Sequence, residues 1–512
     1  MKNILKNTLI KLLKQQQLSF DTQKIIIEAP KIVEHGDYST PLCFQLAKQQ
    51  SQNPKELAET LAKQCISQEF DVSAINGFIN FKIKNNSLWD YFQQLDTQAI
   101  QIQKGKRYLL EYVSANPTGP LHIGHARWAS IGSCLANILR FCGASVDEEF
   151  YINDTGEQVN NFNATISAIK ENKAIPENGY HGNYMKELAK ESTNPLKSNI
   201  DNQKANLKRL RTHFKNWYSE QSLHKENKIN PIIELLQTKN LTYEKDAALW
   251  FKSSEFGDEK DRVLIKKDGQ FTYFAVDIAY HNEKAKRSYD TLINIWGADH
   301  HGYIARVRAA LIALHGNSYK DKNKFTVILG QLVNLKRKGK PIRMSKRSGD
   351  MITLSEVMDE IGVDATRYFL AQNHANTHID FDLELAKEKS NENPVYYIQY
   401  AYVRINSILK QISPSKTMDK KHLQLEKKER SLMLHASQFK DHITQAGEQL
   451  NPQILCHYLY TLAKKFHTFY ESCPIIKASD TQKTQRLLII LKTKEVFDCC
   501  LTILGLSTPE KM

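Results

Sequence analysis

The sequence predicts a multidomain protein that is α/β in its centre and all-α at its C-terminal end. In the centre, an apolar run over residues 108–113, a helical pattern from Ile123 and a second apolar run over residues 146–152 form one βαβ unit. The chain divides into three parts, which are this unit, the mixed pattern before it and the helical period after it. We predict an α+β domain over residues 1–98, a parallel-sheet domain over 99–380 and a helical domain over 381–512.

The N-terminal domain is predicted from local signals for helix starts and strands. Residues 24–28 have the composition of a short strand. Asn53 and Pro54 are a suitable N-cap and first residue for a helix that continues to Ile66. Residues 76–83, NGFINFKI, predict a turn followed by an alternating strand.

The strand-to-helix turn of the βαβ unit combines the features of an anion site. His122 and His125 are three residues apart, so they share one face of the first helical turn. Backbone N–H groups and the positive end of the helix dipole lie at this turn and favour the binding of a phosphate. Gly124 allows close approach of a nucleotide. Gly143 ends the helix. The alternatives are an ordinary helix start with two solvated histidines, or a zinc site, which lacks both the HExxH spacing and a third ligand.

Two further segments of the central domain are predicted from composition and turn signals. Residues 160–245 are rich in lysine and asparagine, with weak helical periodicity, and we interpret them as an insertion between the halves of the sheet. Residues 262–266 and 270–275 predict the two strands of a hairpin around Asp268 and Gly269.

The last part of the central domain contains two candidate ligand segments. A buried strand over residues 292–296 ends at GADHH, residues 297–301, and ligands bind at such carboxyl ends in open α/β sheets. In KRKGKPIRMSKRSGD, residues 336–350, Gly339, Pro341 and Gly349 predict a loop. Its lysines and arginines indicate an anion site, and the alternative is a solvated basic loop.

The C-terminal domain is predicted to be all-helical. Apolar residues from Val395 to Leu409 keep a helical period. Asn451 and Pro452 start a further helix, and Gly505 ends the last one.

The composition indicates a large globular protein with a polyanionic partner. The chain has 512 residues, of which 41% are hydrophobic and 25% charged, and its net charge is +14. A basic balance of this kind favours RNA as a partner. The eight cysteines are scattered without a CxxC pair, which predicts no zinc ribbon and a reducing cytoplasm. The N-terminus lacks the continuous apolar core of a signal peptide, and no stretch is long enough to span a membrane.

Two motifs, in this order, resemble the signatures of a known enzyme family. PLHIGH, residues 120–125, and RMSKR, residues 343–347, are similar to the HIGH and KMSKS motifs of class I aminoacyl-tRNA synthetases. Segments throughout the chain resemble arginyl-tRNA synthetases, namely YINDTGEQ, TYFAVDIAYH, GADHHGYIAR and NENPVYYIQYAYVRI. The resemblance implies a Rossmann-like catalytic domain, a helical anticodon-binding bundle and an N-terminal domain that contacts the outer corner of tRNA. DATR, residues 364–367, stands where relatives have a DALR-like sequence.

The resemblance also implies the reaction and its partners. An arginine–tRNA ligase activates L-arginine with ATP, releases pyrophosphate, and transfers arginine to the 3′-terminal adenosine of tRNA(Arg). Mg²⁺ accompanies ATP as a substrate complex and needs few protein ligands. The expected protein is a cytoplasmic monomer, without a bound zinc ion and without a membrane partner.

The same resemblance assigns the site residues. The HIGH motif comprises Ala115, Asn116, Pro117, Thr118, Gly119, Pro120, Leu121, His122, Ile123, Gly124 and His125. The catalytic residues implied are His122, His125 and Lys346. The ATP-binding residues implied are Pro120, Gly124, Gly297, Asp299, His301, Met344, Ser345 and Lys346. The arginine-binding residues implied are Glu111, Ser114, Asn116, Tyr273 and Asp277.

Several of these assignments have alternatives that depend on structure. Asp277 is also a suitable helix N-cap ahead of Ile278. Glu111 alternates with apolar neighbours, so it could be a paired buried carboxylate. The imidazole of His301 could pack under the sheet.

The chain departs from the family pattern at two places. The first and last positions of the KMSKS-like loop are Arg343 and Arg347, and the contribution of Arg343 is open because arginine and lysine differ in geometry. Tyr402 and Val403 replace the usual His-Ala pair, which leaves a role of this position in tRNA or ATP-loop contacts open.

Two other functions compete with the ligase. A small adenylating synthetase would lack a helical RNA-binding domain, so residues 381–512 argue against it. A catalytically silent RNA-binding paralogue would be free to lose His122, His125 or Lys346, and all three are present.

Overall fold

The computed structural model describes residues 1–342, 352–412, 418 and 420–512. Within these ranges the chain forms an N-terminal α+β region, a central region built on a parallel sheet, and a C-terminal helical region. Among the described residues, no helix combines the length and the apolar composition needed to cross a membrane.

The N-terminal region packs four helices around a small antiparallel sheet with strand order β1-β3-β2. Its elements are α1 Lys2–Gln15, β1 Tyr38–Thr40, α2 Leu42–Gln50, α3 Pro54–Gln64, β2 Phe70–Ile75, β3 Phe78–Ile83 and α4 Asn85–Gln93. Asn53 is the N-cap of α3 and accepts a hydrogen bond from Lys55 N at 2.9 Å, as predicted. The predicted strand over residues 24–28 is wrong. Asp21 instead caps a short 3-10 turn that ends at Lys24, and only Glu28 makes a single bridge, to Ser39.

The central region contains three sheets and eleven helices among the described residues. Its strands are β4 Arg107–Glu111, β5 Ser145–Ile152, β6 Asn216–Ser219, β7 Thr242–Lys245, β8 Ala248–Phe251, β9 Arg262–Ile265, β10 Thr291–Gly297, β11 Phe325–Gly330, β12 Val333–Arg337, β13 Lys340–Pro341 and β14 Ile379–Asp382. Its helices are α5 Ile123–Phe141, α6 Glu157–Lys170, α7 Asn183–Glu191, α8 Pro195–Arg209, α9 Glu220–Lys225, α10 Asn230–Thr238, α11 Tyr273–Lys286, α12 Tyr303–His315, α13 Leu354–Ile361, α14 Val363–Ala371 and α15 Leu383–Lys387.

The main sheet is parallel, with strand order β11-β10-β4-β5-β6. The chain proceeds from β4 through α5 to β5 on one side, and β10 later joins β4 on the other side. The point where the strand order reverses therefore lies between β4 and β10, where open α/β sheets bind their ligands. The predicted βαβ unit is confirmed, with β4, α5 and β5 as its three elements.

Two predictions for the central region need correction. The segment over residues 160–245 is not wholly an insertion between the halves of the sheet, because β6 is the outer strand of the sheet itself. The second hairpin strand, over residues 270–275, is wrong. Thr272 caps α11 by accepting a hydrogen bond from Ala275 N at 3.3 Å, so the helix begins at Tyr273 and only Phe271 makes a bridge, to Ile265.

The C-terminal region is helical, as predicted. Its helices are α16 Pro394–Gln411, α17 Lys427–Ser437, α18 Phe439–Glu448, α19 Gln453–Ser472 and α20 Asp480–Leu504. Gly505 ends α20 in a left-handed conformation with φ +66°, which confirms the predicted stop. Tyr402 lies inside this region, and its hydroxyl donates to Asp498 Oδ1 at 2.6 Å.

The guanidinium of Arg367 joins the central and C-terminal regions. It is buried and donates to Leu504 O at 3.0 Å, to Leu210 O at 2.7 Å and to Ser133 Oγ at 3.0 Å. These acceptors belong to the ends of α20 and α8 and to the middle of α5. Asp364, at the other end of the DATR segment, accepts from Ser507 N at 3.0 Å. Both charged residues of this segment are therefore structural contacts between the regions.

Helix α5 lies against the sheet through a close contact at Gly132. A Cβ at this position would lie 2.4 Å from the ring of Tyr112, which is fully buried and donates a hydrogen bond to Glu148. The contact therefore requires a residue without a side chain.

We expect Gly132→Ala to destabilise the protein by about 1–3 kcal/mol, because the Tyr112 ring must move in a close-packed core. The matched control is Gly302→Ala, since no heavy atom lies within 4 Å of the added Cβ there. Thermal denaturation of the full chain measures the difference. Equal midpoints for the two variants would contradict this account of the α5 contact.

Candidate active site

The segment that follows β4 makes a strained turn. Val113 has φ +70° and Ser114 has φ +39°. Residues other than glycine rarely adopt positive φ values. The turn places Ser114 Oγ between two groups. It donates to Glu111 Oε1 at 2.9 Å and accepts from Tyr151 N at 3.2 Å. The strain is therefore compensated by contacts that fix the start of the HIGH segment.

His122 and His125 cap the N-terminus of α5 reciprocally. His122 Nδ1 accepts from Gly124 N at 3.1 Å, and His125 Nδ1 accepts from His122 N at 3.2 Å. The two rings are stacked with their centroids 3.7 Å apart. A ring nitrogen that accepts a hydrogen bond carries no proton, so the proton of each neutral imidazole is on Nε2. The cap thus prepares two Nε2–H donors at the positive end of a helix.

The lack of a side chain at Gly124 leaves room for the His122 ring of this cap. A Cβ on Gly124 would lie 3.0 Å from Cε1 of the His122 ring. The prediction that this glycine allows close approach of a nucleotide stays a prediction, and the contact with His122 is a second reason for its lack of a side chain.

The KMSKS-like loop begins and ends beside described elements. Met344, Ser345 and Lys346, with the rest of residues 343–351, lie outside the described residues. Before them, Ile342 N donates to Leu335 O at 2.8 Å. After them, Thr353 pairs with His122 in an antiparallel bridge, and Leu354 N donates to Leu121 O at 2.7 Å. The chain thus returns from this loop directly onto the HIGH segment.

The GADHH segment follows β10 at the same edge of the sheet. Gly297 is the last residue of β10, and a Cβ there would lie 2.4 Å from Asp299 Oδ1. The side chains of Asp299 and His301 are exposed. The alternative that His301 packs under the sheet is therefore wrong.

Cavities of about 340 and 430 Å³ elsewhere are larger, but the cavity of about 290 Å³ lies next to the turn at Ser114, whose hydroxyl accepts a hydrogen bond from Tyr151 N. Its lining residues are Tyr151, Asn153, Glu220, Tyr273, Val276, Asp277, His300 and Tyr303. Two carboxyl groups, those of Asp277 and Glu220, line one partly open space with aromatic walls. The geometry suits a planar cation.

The pKa values of both carboxyl groups are raised, and a bound cation would lower them. Burial raises the pKa of Asp277 to about 7, and Glu111 adds to the rise, while Tyr303 and Lys284 act against it. Burial raises the pKa of Glu220 to about 7, with Asp277 adding to the rise. Within the described part of the chain, neither group forms a salt bridge. A bound cation would therefore favour their ionised forms.

Tyr273 and Asp277 both line the cavity, because residues four apart share one face of α11. The alternative that Asp277 is a helix N-cap is wrong, since Thr272 occupies that position. Tyr303 donates a hydrogen bond to Asp277 Oδ2 at 2.7 Å and fixes the carboxyl group in the cavity.

Glu111 lies outside the cavity lining, in a buried network of its own. Its carboxylate forms an ion pair with Lys284 and accepts from Asn294 Nδ2 at 3.1 Å. Lys284 also donates to Asn294 Oδ1 at 3.0 Å. The alternative of a paired buried carboxylate is thus confirmed for Glu111. Asn116, the other predicted contact, donates from Nδ2 to Gln158 Oε1 at 2.6 Å.

Sequence reasoning missed Glu220, the second carboxylate of the cavity. Glu220 is the first residue of α9, directly after the edge strand β6. Asp154 holds this helix start by accepting from Ser219 Oγ at 2.6 Å and from Gln221 N at 2.9 Å. One sequence signal could have indicated Glu220. It is an acidic residue directly after NWYS, a short aromatic run that follows the helical segments of residues 160–209. Also missed were the side chains of α7 and α8 that contact the HIGH segment.

One group of possible metal ligands lies far along the chain. The ligand atoms of Glu426, Glu429 and Cys473 lie within 4.8 Å of one another. Both carboxylates already pair with Arg486, and burial raises the pKa of the Cys473 thiol to about 12. A guanidinium therefore already binds both carboxylates of this group.

Curated relatives cover the whole chain. An arginine–tRNA ligase from Bacillus subtilis (strain 168) is 38% identical over 559 aligned positions, which cover 100% of this chain and 99% of that protein. An arginine–tRNA ligase from Listeria monocytogenes serotype 4b (strain F2365) is 39% identical and covers 96% of this chain, with 95% of that protein covered. The chain belongs to the arginyl-tRNA synthetase family.

Domain families divide the arginyl-tRNA synthetase chain into three. Residues 1–83 match the arginyl-tRNA synthetase N-terminal domain, residues 91–199 and 181–407 the class I (R) tRNA synthetase catalytic domain, and residues 398–512 the DALR anticodon-binding domain. The arginyl-tRNA synthetase of Thermus thermophilus has the same fold, with a TM-score of 0.83 at 20% identity over 100% of both chains. The predicted family, fold class and enzyme class are confirmed.

Proposed function

We propose that the chain is an arginine–tRNA ligase that works in two steps. It activates L-arginine with ATP, giving arginyl-adenylate and pyrophosphate, and then transfers arginine to the 3′-terminal adenosine of tRNA(Arg). The observation that carries the proposal is the pair of carboxyl groups with raised pKa values, Asp277 and Glu220, that line one cavity. All eight cysteines are free, which supports a location in a reducing cytoplasm. We also propose that the enzyme is a monomer.

Arginine recognition is assigned to the cavity. A guanidinium presents five N–H donors in one plane, and carboxylates bind it with charge-assisted hydrogen bonds. Asp277 and Glu220 supply the acceptors, and Tyr273 can stack on the guanidinium plane. The family resemblance places Glu111 and Asn116 at the α-amino and carboxylate end of arginine, and we propose that Asn116 and Ser114 make the direct contacts there. Glu111 supports them indirectly through its contact with Ser114, because Lys284 already neutralises its charge.

Activation needs alignment and charge stabilisation more than a base. The arginine carboxylate is already a nucleophile and attacks the α-phosphate of ATP, while pyrophosphate leaves. The Nε2–H groups of His122 and His125 are suited to donate to the phosphate oxygens in the transition state. ATP enters as its Mg²⁺ complex. Pro120, Gly124, Gly297, Asp299, His301, Met344, Ser345 and Lys346 remain the proposed ATP contacts.

A row of aromatic and arginine side chains in the C-terminal region supports binding of single-stranded RNA. The rings of Tyr396 and Tyr400 on α16 stack with centroids 5.9 Å apart. The Arg404 guanidinium lies 4.4 Å from the Tyr400 centroid and 4.5 Å from the centroid of Tyr470 on α19. Unpaired bases stack on such groups. We propose that this row contacts the anticodon loop.

We expect arginine binding at pH 7 to release protons to the buffer. Each carboxyl group with a pKa of about 7 is about half protonated before binding and ionised afterwards. Affinity should therefore fall as the pH is lowered from 8 to 6. Titration calorimetry in buffers of different ionisation enthalpy measures the release.

Glu220→Gln and Asp277→Asn should each weaken arginine binding by about 2 kcal/mol or more and reduce the proton release. Asp246→Asn, in an exposed turn, is the matched control. Unchanged arginine affinity in both cavity variants would remove this cavity from arginine recognition.

We expect His125→Ala to slow adenylate formation by about 100-fold while ATP affinity changes little, because the donor acts on the transition state. His125→Asn can keep an acceptor for His122 N but has no atom at the Nε2 position, so its rate should be equally low. Single-turnover kinetics with tRNA present measure both. A normal rate in His125→Asn would mean that only the helix cap matters.

Arginine-dependent ATP–pyrophosphate exchange tests the proposed function. We expect weak exchange with arginine and ATP alone and a rise in exchange when tRNA(Arg) is added. The reason is that Thr353 and Leu354 link the end of the ATP loop to the HIGH segment, and α13 and α14 continue from there to the C-terminal region. Raised salt should reduce the response, since tRNA binding releases counterions.

A non-cognate tRNA is the control for this response. Full exchange without tRNA would contradict the tRNA effect alone. Absence of arginine-dependent exchange and of tRNA charging under all conditions would contradict the ligase assignment.

A further inference from the structure

Four consecutive backbone carbonyls of the HIGH segment each accept a hydrogen bond from a side chain outside the segment. Gln203 Nε2 donates to the carbonyl oxygens of residues 116 and 119, at 3.0 and 2.8 Å. Asn199 Nδ2 donates to the carbonyl oxygen of residue 117 at 2.6 Å. The Tyr184 hydroxyl donates to that of residue 118 at 3.2 Å. All three donors lie on α7 and α8.

The sequence of this loop explains why it needs external donors. Pro117 and Pro120 have no N–H group, so the loop cannot form a regular ladder of its own. The Asn199 and Gln203 side chains are 3% and 1% exposed, and the loop carbonyls they bind are shielded with them. A buried carbonyl without a donor is unfavourable by about 1–3 kcal/mol, so these contacts select one conformation of the loop.

Helix α8, which carries Asn199 and Gln203, is fixed at its other end. The carbonyl of Leu210, directly after the helix, accepts from Arg367 at 2.7 Å. Arg211 NH1 donates to the carbonyl oxygen of Gly505 at 2.7 Å. The donors for the HIGH loop are therefore attached to the junction with the C-terminal region.

We propose that Asn199 and Gln203, together with Tyr184, are positioning residues for amino-acid activation. They do not touch the reacting atoms. They act through the loop of residues 116–119, which carries Asn116 at one end and leads through Pro120 to His122 at the other. The inference rests on the proposed function, because it concerns the alignment of the two substrates of that reaction.

The expected defect is in rate rather than in binding. Displacement of a catalytic group by about 1 Å reduces a rate by roughly 100-fold. Loss of the Gln203 donors should therefore lower kcat for pyrophosphate exchange by about 10- to 100-fold, while the KM for ATP and for arginine changes less than about threefold. A purely structural role would instead lower thermal stability and leave kcat of the folded enzyme unchanged.

The decisive variant is Gln203→Glu, measured in the full chain with saturating tRNA. The two side chains have the same shape, but an ionised carboxylate has no donor. Burial at this position, 1% exposed and against carbonyl oxygens, raises the pKa of the introduced carboxyl group. When it takes up a proton at lower pH, it again donates one hydrogen bond. The ratio of variant to wild-type kcat should therefore rise as the pH falls from 8 to 6, and Gln203→Met should show no such rise.

Two further variants keep the test decisive. Tyr184→Phe removes a single hydroxyl group and should lower kcat about threefold or more even if Gln203→Glu fails to fold. Asn206→Ala is the matched control on α8, because its side-chain bonds stay within the helix. Wild-type kcat in Gln203→Glu at pH 8, or a ratio independent of pH, would overturn the inference, as would wild-type kcat in Tyr184→Phe. A wild-type enzyme without arginine-dependent exchange would instead count against the proposed function.

Discussion

One buried guanidinium, that of Arg367, binds helices of the central and C-terminal regions at the same time. Two of its acceptors, the carbonyls of Leu210 and Leu504, lie at the C-terminal ends of α8 and α20. Helix C-termini carry partial negative charge, so a cation stabilises both ends at once. Its side chain is 1% exposed, so backbone dipoles replace the water that a guanidinium would otherwise bind. Loss of this side chain would leave carbonyls of two helices without donors.

A buried charge needs a partner that replaces water, and the carboxyl groups of the central region differ in whether they have one. Glu111 is buried but neutralised by Lys284 and held by Asn294, which makes it part of the framework. Glu220 is buried and Asp277 half-buried, and neither forms an ion pair among the described residues, so the pKa of each is raised to about 7. A desolvated carboxyl group without a cation beside it is unfavourable for folding. The proposed arginine site would supply that cation.

Local patterns predicted most of the fold. The βαβ unit and the C-terminal helices follow from hydrophobic period, and the ends of α3 and α20 from the signals at Asn53 and Gly505. The hairpin prediction failed at Thr272, because a helix cap prevailed over strand-like composition. His122 and Asp277 were found through motifs. Glu220, Asn199 and Gln203 were not, because they lie in a segment of weak periodicity and reach the site only through strand pairing and helix packing.

The position of β6 restricts how the segment before it can change in length. In the parallel pair with β5, Glu149 lies opposite Asn216 and Ile152 opposite Ser219, immediately before Glu220. Residues can be gained or lost in the connections between the preceding helices without moving this pairing. A slip of one residue within β6 would turn every side chain of the strand to the opposite face. Homologues can therefore differ in the size of this segment, while the number of residues between the paired strand and Glu220 must remain constant.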